Sequence, residues 1–189
     1  MNRLTCSNKW HSCLCLILLL FSQAAMADWP AFRHDNQRSA STAASIGLPL
    51  NLAWSHIPAA APTRAWGLPK HRNMAAKANN LTSTLDYDTA FHPIIANNKT
   101  YYASSSTDSI YCLASDGRII WQFTSEAPVR LSPVYADQKI YVGSDDGHIY
   151  CLDSESGKLI WRHQVGPQDR RIPGNGRMIS QWPVRGGFV

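Results

Sequence analysis

The sequence predicts an all-β fold: an incomplete β-propeller of about two four-stranded blades plus part of a third. Three observations lead there. A unit of about 40 residues occurs twice in tandem. Each unit breaks into four short runs rich in β-branched and aromatic residues, separated by turn residues. Both faces of those runs are apolar, so each sheet is covered on both sides, as in stacked sheets. Hydrophobic residues at 44% and charged residues at 16% exclude a disordered, charge-driven chain.

The first 27 residues of the 189 read as a leader. Arg3 and Lys9 precede the unbroken apolar run Cys13–Phe21, and Ala25-Met26-Ala27 is a small-x-small cleavage pattern. Cationic start, short apolar run and cleavage site together make a signal peptide, cut after Ala27. The apolar run is shorter than the ~20 residues a spanning helix needs, so no transmembrane span is expected after cleavage. Export places the chain in the periplasm or outside the cell. Removing Arg3 and Lys9 lowers the net charge from +5 to +3, too little to suggest nucleic acid as a partner.

Residues 28–57 form an N-terminal segment. Within it Leu50–His56 reads as a lone outer strand, with Trp54 waiting for a blade the chain lacks. Residues 58–89 read as a loop-like insertion rich in Ala, Pro and Asn. Residues 90–189 carry the repeats: one unit over 92–131, a second over 132–171, and a partial third from about 179. Pro93 and Pro133 are 40 residues apart, as are Trp121 and Trp161. In the second unit the strands are Pro133–Ala136, Lys139–Gly143, His148–Leu152 and Lys158–Gln164, with Gly166–Arg177 as a long loop. Two units and a fraction cannot close a ring, so a fragment of a longer propeller, or closure between chains, is expected.

The run Cys151-Leu152-Asp153-Ser154-Glu155-Ser156-Gly157-Lys158-Leu159-Ile160-Trp161 resembles the tryptophan-docking motif of the pyrroloquinoline-quinone (PQQ)-like repeat family, Ala-x-Asp-x-x-Thr-Gly-x-x-x-Trp. That family includes quinoproteins and an outer-membrane assembly lipoprotein. Asp153, Gly157 and Trp161 match, and Cys151 and Ser156 stand for Ala and Thr. In the first unit Cys112, Gly117 and Trp121 fit, but Ala114 replaces the Asp. The resemblance implies that Trp54, Trp121 and Trp161 are structural, each filling a gap between blades. A Trp161→Ala change is then expected to cost several kcal/mol, about 3–5.

Two functions follow from the resemblance. The first is a non-catalytic binding or scaffold propeller, whose partner would be a protein, a small molecule or a polysaccharide. The second is part of a PQQ-dependent dehydrogenase, which would need PQQ and calcium. That alternative asks for a catalytic Asp, calcium-holding Glu and Asn, and a vicinal Cys pair. None can be assigned, so no catalytic, cofactor-binding or metal residue is predicted. Asp145-Asp146-Gly147 reads as turn chemistry and lacks the ligand spacing of a calcium loop. Arg170, Arg171, Arg177 and Arg185 are candidates for an anion-binding loop, because guanidinium forks match carboxylate and phosphate. A solvated polar loop explains them as simply. Cys112 and Cys151 hold equivalent places in adjacent sheets, ~10 Å apart by ordinary sheet packing. A disulfide needs Cα atoms within ~7 Å, so both are expected as free buried thiols.

Overall fold

The computed structural model describes residues 28–65, 74–80, 90–174 and 176–187. The leader expected over 1–27 lies outside these residues. Among the described residues, ten strands and one short helix, α1 (Met74–Ala78), make up the regular structure. α1 interrupts the expected 58–89 loop: Met-Ala-Ala-Lys-Ala is a run of good helix formers.

Two antiparallel meanders form the blades. The first is β1 (Ile94–Ala96), β2 (Lys99–Ser104), β3 (Ser109–Leu113) and β4 (Ile119–Thr124). The second is β5 (Val134–Ala136), β6 (Lys139–Gly143), β7 (His148–Asp153) and β8 (Leu159–Gln164). Their registers correspond pair for pair. Ile94 faces Tyr101 as Val134 faces Tyr141, and Cys112 faces Trp121 as Cys151 faces Trp161. Each inner hairpin turns on two residues of positive φ, Asn97 and Asn98 in one blade, Asp137 and Gln138 in the other. That backbone twist matches the twist of the flanking strands. Both sheets slip register at the same place, after Cys112 and after Cys151.

The core lies between the blades. Tyr101, Ile110, Cys112 and Trp121 of the first blade pack against Ile140, Val142, Tyr150 and Leu152 of the second. Alternation along the strands puts each set on one face. Trp121 is buried, and its indole lies over Gly157 of the second blade. A Cβ at Gly157 would fall 2.5 Å from that indole, and φ there is +68°. Lys99 also reaches across to pair with Glu155.

The structure corrects four expectations. Residues 50–58 form no strand, and Trp54 already has its seat: it lies over Gly117, where a Cβ would come within 2.8 Å. Trp54 thus stands to the first blade as Trp121 stands to the second. Trp161, by contrast, is 42% exposed, because no sheet among the described residues covers the Tyr141–Ile149–Trp161 face. The long loop Gly166–Arg177 contains most of a hairpin, β9 (Arg171–Gly174) with β10 (Arg177–Ser180), in which Ile172 faces Ile179. The second unit therefore runs into this hairpin at Arg171. Finally, Pro183-Val184 opens no third ladder among the described residues. Val184 instead donates its amide to the Ser144 carbonyl and lies against Gly143.

The N-terminal segment stitches the two blades along their inner edges. Trp29 exchanges both backbone hydrogen bonds with Ile95 of β1, at 2.7 and 3.0 Å. The Pro30 carbonyl accepts the Tyr135 amide of β5 at 2.8 Å. Edge strands left open would invite pairing with other chains, and this segment closes both partners.

Candidate functional site

Antiparallel meanders bring alternate connections to the same end. The 105–108, 125–133, 144–147 and 165–170 connections meet there and bind one another through the backbone. The Ser125 amide reaches the Asp108 carbonyl, Asp145 reaches Pro128, and Val165 reaches Gly147. The start of the 58–89 stretch joins them: the Thr63 amide bonds the Ser105 hydroxyl at 2.8 Å, and its own hydroxyl bonds the Ser105 carbonyl at 2.9 Å.

Two buried carboxylates organise this end. Asp145 accepts from Arg130 on one side and from Arg185 on the other, the latter through Nε at 2.6 Å and Nη2 at 2.9 Å. The Arg130 and Asp145 side chains are both almost fully buried. Arg130 also donates to the Thr63 carbonyl. Asp146 accepts from the Tyr150 hydroxyl and the Glu126 amide on Oδ2, and from the His148 amide on Oδ1. Burial, reinforced by the Asp146 carboxylate, holds the Tyr150 phenol well above its usual range. Asp108 accepts from Arg177 at 2.7 Å. Burial nevertheless raises its carboxyl above the usual range, outweighing the guanidinium.

The four arginines of the predicted anion loop do not converge on one open site. Arg171 pairs with Asp169 and Glu126, Arg177 with Asp108, and Arg185 with Asp145. Arg170 contributes its carbonyl to the Gln181 amide. Three of the guanidiniums are therefore engaged by the protein's own carboxylates. Glu126 bridges Arg162 and Arg171, and their hydrogen bonds hold its carboxyl below the usual range.

The motif residues lie at the opposite end and in the core. Cys112 and Cys151 are free and buried. Burial pushes the Cys112 thiol up to about 11 and raises that of Cys151. Asp153 caps its own turn, accepting from the Ser156 amide and hydroxyl, and those bonds hold its carboxyl low. Gly117, Gly157, Trp54 and Trp121 make the docking contacts described above.

Sequence reasoning missed Arg130, Asp145, Asp146 and Asp108 as a cluster. A signal existed in the repeat itself. Where the second unit has Asp145-Asp146, the first has Ser106-Thr107, and departure from a repeat marks a local role.

A calcium-held quinone does not fit these residues. The oxygens of Asp145 are taken by two guanidiniums, and those of Asp146 by a phenol and two amides, so a cation would have to displace existing donors. Among the described residues, no group of three or more His, Cys, Asp or Glu could hold a metal ion. Nor is any described helix long and apolar enough to cross a membrane.

A small cavity of about 230 Å³ lies beside this cluster, between the N-terminal turn and the residues around the starts of β1 and β5. Phe32, Leu131 and Val134 form its apolar walls, and Asp35, Arg38 and Arg185 its polar rim.

Comparison with known proteins gives this geometry a context. The family model described as outer membrane protein assembly factor BamB matches residues 62–182. A BamB from Aliivibrio fischeri is 55% identical over 40 residues, 21% of this chain and 10% of the relative. The dehydrogenase subunit of a quinone alcohol dehydrogenase from Gluconobacter oxydans is 26% identical over 92 residues, 42% of this chain and 12% of the relative. The crystal structure of BamB from Moraxella catarrhalis aligns with 46% of this chain and 27% of its own, at 24% identity and a TM-score of 0.37. The chain thus spans only about a tenth of the two curated relatives' length.

Proposed function

The chain belongs to the family described by outer membrane protein assembly factor BamB, and from that premise we propose that it is a non-catalytic binding or scaffold module, exported to the periplasm and engaged with protein partners in outer-membrane protein assembly. The Asp145 site is the observation that supports it best. A general base needs a carboxylate or imidazole free to move a proton at a substrate. Here the buried carboxylate is clamped between Arg130 and Arg185, which ties three loops and the 183–187 segment into one rigid end. Such a network suits the presentation of a fixed surface.

Export rests on the leader pattern of residues 1–27, and intact-mass measurement of protein from the cell envelope should give a chain starting at Asp28. Crosslinking in intact envelopes should then capture outer-membrane assembly proteins. Failure to recover any of them would count against the scaffold reading. The dehydrogenase reading makes the opposite forecast: micromolar PQQ binding with calcium, and alcohol-dependent dye reduction. We expect neither.

A further inference from the structure

We propose that the cavity beneath the N-terminal turn binds a carboxylate carried on a small branched apolar group, with Arg38 as the cationic partner. This site is separate from the assembly role and stands or falls without it. The cavity offers about 230 Å³ lined by Phe32, Leu131 and Val134, space for a body about the size of one aliphatic residue. Its rim carries two guanidiniums. Arg185 is held in place by Asp145. The Arg38 guanidinium makes no hydrogen bond or ion pair with any described residue.

The reason Arg38 stays unengaged is local. Asp35 is its natural partner, since the two share one turn in which the Arg38 amide bonds the Asp35 carbonyl at 2.9 Å. Yet the Asp35 carboxylate already accepts from the Ser39 amide at 2.9 Å and the Ser39 hydroxyl at 2.6 Å. The Arg38 guanidinium instead rests over Gly187, where a Cβ would come within 2.7 Å of Nη2. Arg38 is also held at φ 55°, a conformation disfavoured for an arginine. The exposed Arg38 guanidinium, at the rim of an apolar cavity and not paired with the neighbouring Asp35, is matched by a carboxylate with an apolar tail, because charge-assisted bonds to carboxylate are the strong ones.

Such a group comes from a free carboxylic acid or from a peptide C-terminus. Calorimetry on the full chain separates them, using N-acetyl-leucine, N-acetyl-leucinamide, and the tripeptide Ala-Ala-Leu with free and amidated ends. We expect the free acids to bind and the amides to bind at least about tenfold more weakly, the loss of one charge-assisted bond. Binding of N-acetyl-leucine alone would identify a free acid as the ligand class, and binding of both free forms a peptide end. Arg38→Gln should weaken the acids by about the same factor, with the melting temperature unchanged. Equal binding of acid and amide by the wild-type chain would overturn the proposal, whatever the variant does. So would silence of all four probes at millimolar concentration, or an Arg38→Gln protein that binds the acids as well as wild type.

Discussion

Trp121 lies flat over Gly157 of the neighbouring blade and donates its indole hydrogen to the Ser154 carbonyl, 3.0 Å away. One side chain therefore fills the inter-blade gap and satisfies a turn carbonyl of the sheet it fills against. The missing Cβ of Gly157 is what lets the indole approach.

Trp121→Ala is expected to cost about 3–5 kcal/mol, since it empties a packed slot and strands a carbonyl. Trp161→Ala, at a half-open position, should cost well under half of that. Urea midpoints of the two variants test the order. A Trp161 effect equal to that of Trp121 would mean that something covers the Tyr141–Trp161 face in solution.

Gly117→Ala should release the N-terminal segment without dissolving the sheets. The new Cβ would press on Trp54, and φ at Gly117 is +85°. Limited proteolysis should then cut faster around residues 40–60, while the fragment carrying both blades persists. Unchanged cleavage would show that the segment's other bonds, such as Thr63 to Ser105 and Trp29 to Ile95, hold it without the Trp54 seat.

Arg130→Ala should destabilise by about 3–5 kcal/mol, because it leaves the buried Asp145 charge short of a partner. Arg162→Ala removes a half-exposed, solvent-screened pairing with Glu126 and should cost far less. Thermal or urea unfolding of the pair gives the comparison, and similar losses would contradict the burial of the Asp145 site.

Glu126 supplies a pH dependence with a defined sign. Hydrogen bonds from Arg162 and Arg171 hold its folded-state carboxyl below the ordinary 4.5. Its contribution is therefore present above the unfolded value and is lost as pH falls through the depressed folded value. The stability gap between wild type and Glu126→Gln should be visible at pH 7 and close at strongly acid pH.

The cysteines give a chemical test. With burial raising both thiols, neither Cys112 nor Cys151 should react with a thiol reagent in the folded protein. A chain cut after Ala27 should release two reactive thiols on unfolding. Rapid labelling of the native protein would place one of them at the surface.

What a sequence displays of this fold is whatever it says twice. The strands could be read because alternation and turn residues recur 40 residues apart, and Trp121 with Gly157 because the docking pattern recurs with them. Features that occur once were hidden. The hairpin at Arg171–Ser180 is masked by Pro173 and by arginines that read as loop. Trp161 carries the same local motif as Trp121, yet its exposure is decided by a sheet outside the motif. Asp145 looks like an ordinary turn aspartate, since its partners Arg130 and Arg185 lie 15 and 40 residues away. Arg38 was silent for a similar reason: Asp35 bonds Ser39 rather than the arginine one residue nearer, which spacing alone does not show.

The bonds from Trp29 to Ile95 and from Pro30 to Tyr135 also impose a chronology. Synthesis delivers the head of the chain first, yet its partners arrive tens of residues later, the second more than a hundred residues behind. The head must wait, unfastened, while β1 through β5 are made. It behaves as a clasp that snaps shut over finished cloth. Until that moment the inner margins of both blades stand open to other strands, which makes this interval the one in which a newborn chain most needs shelter.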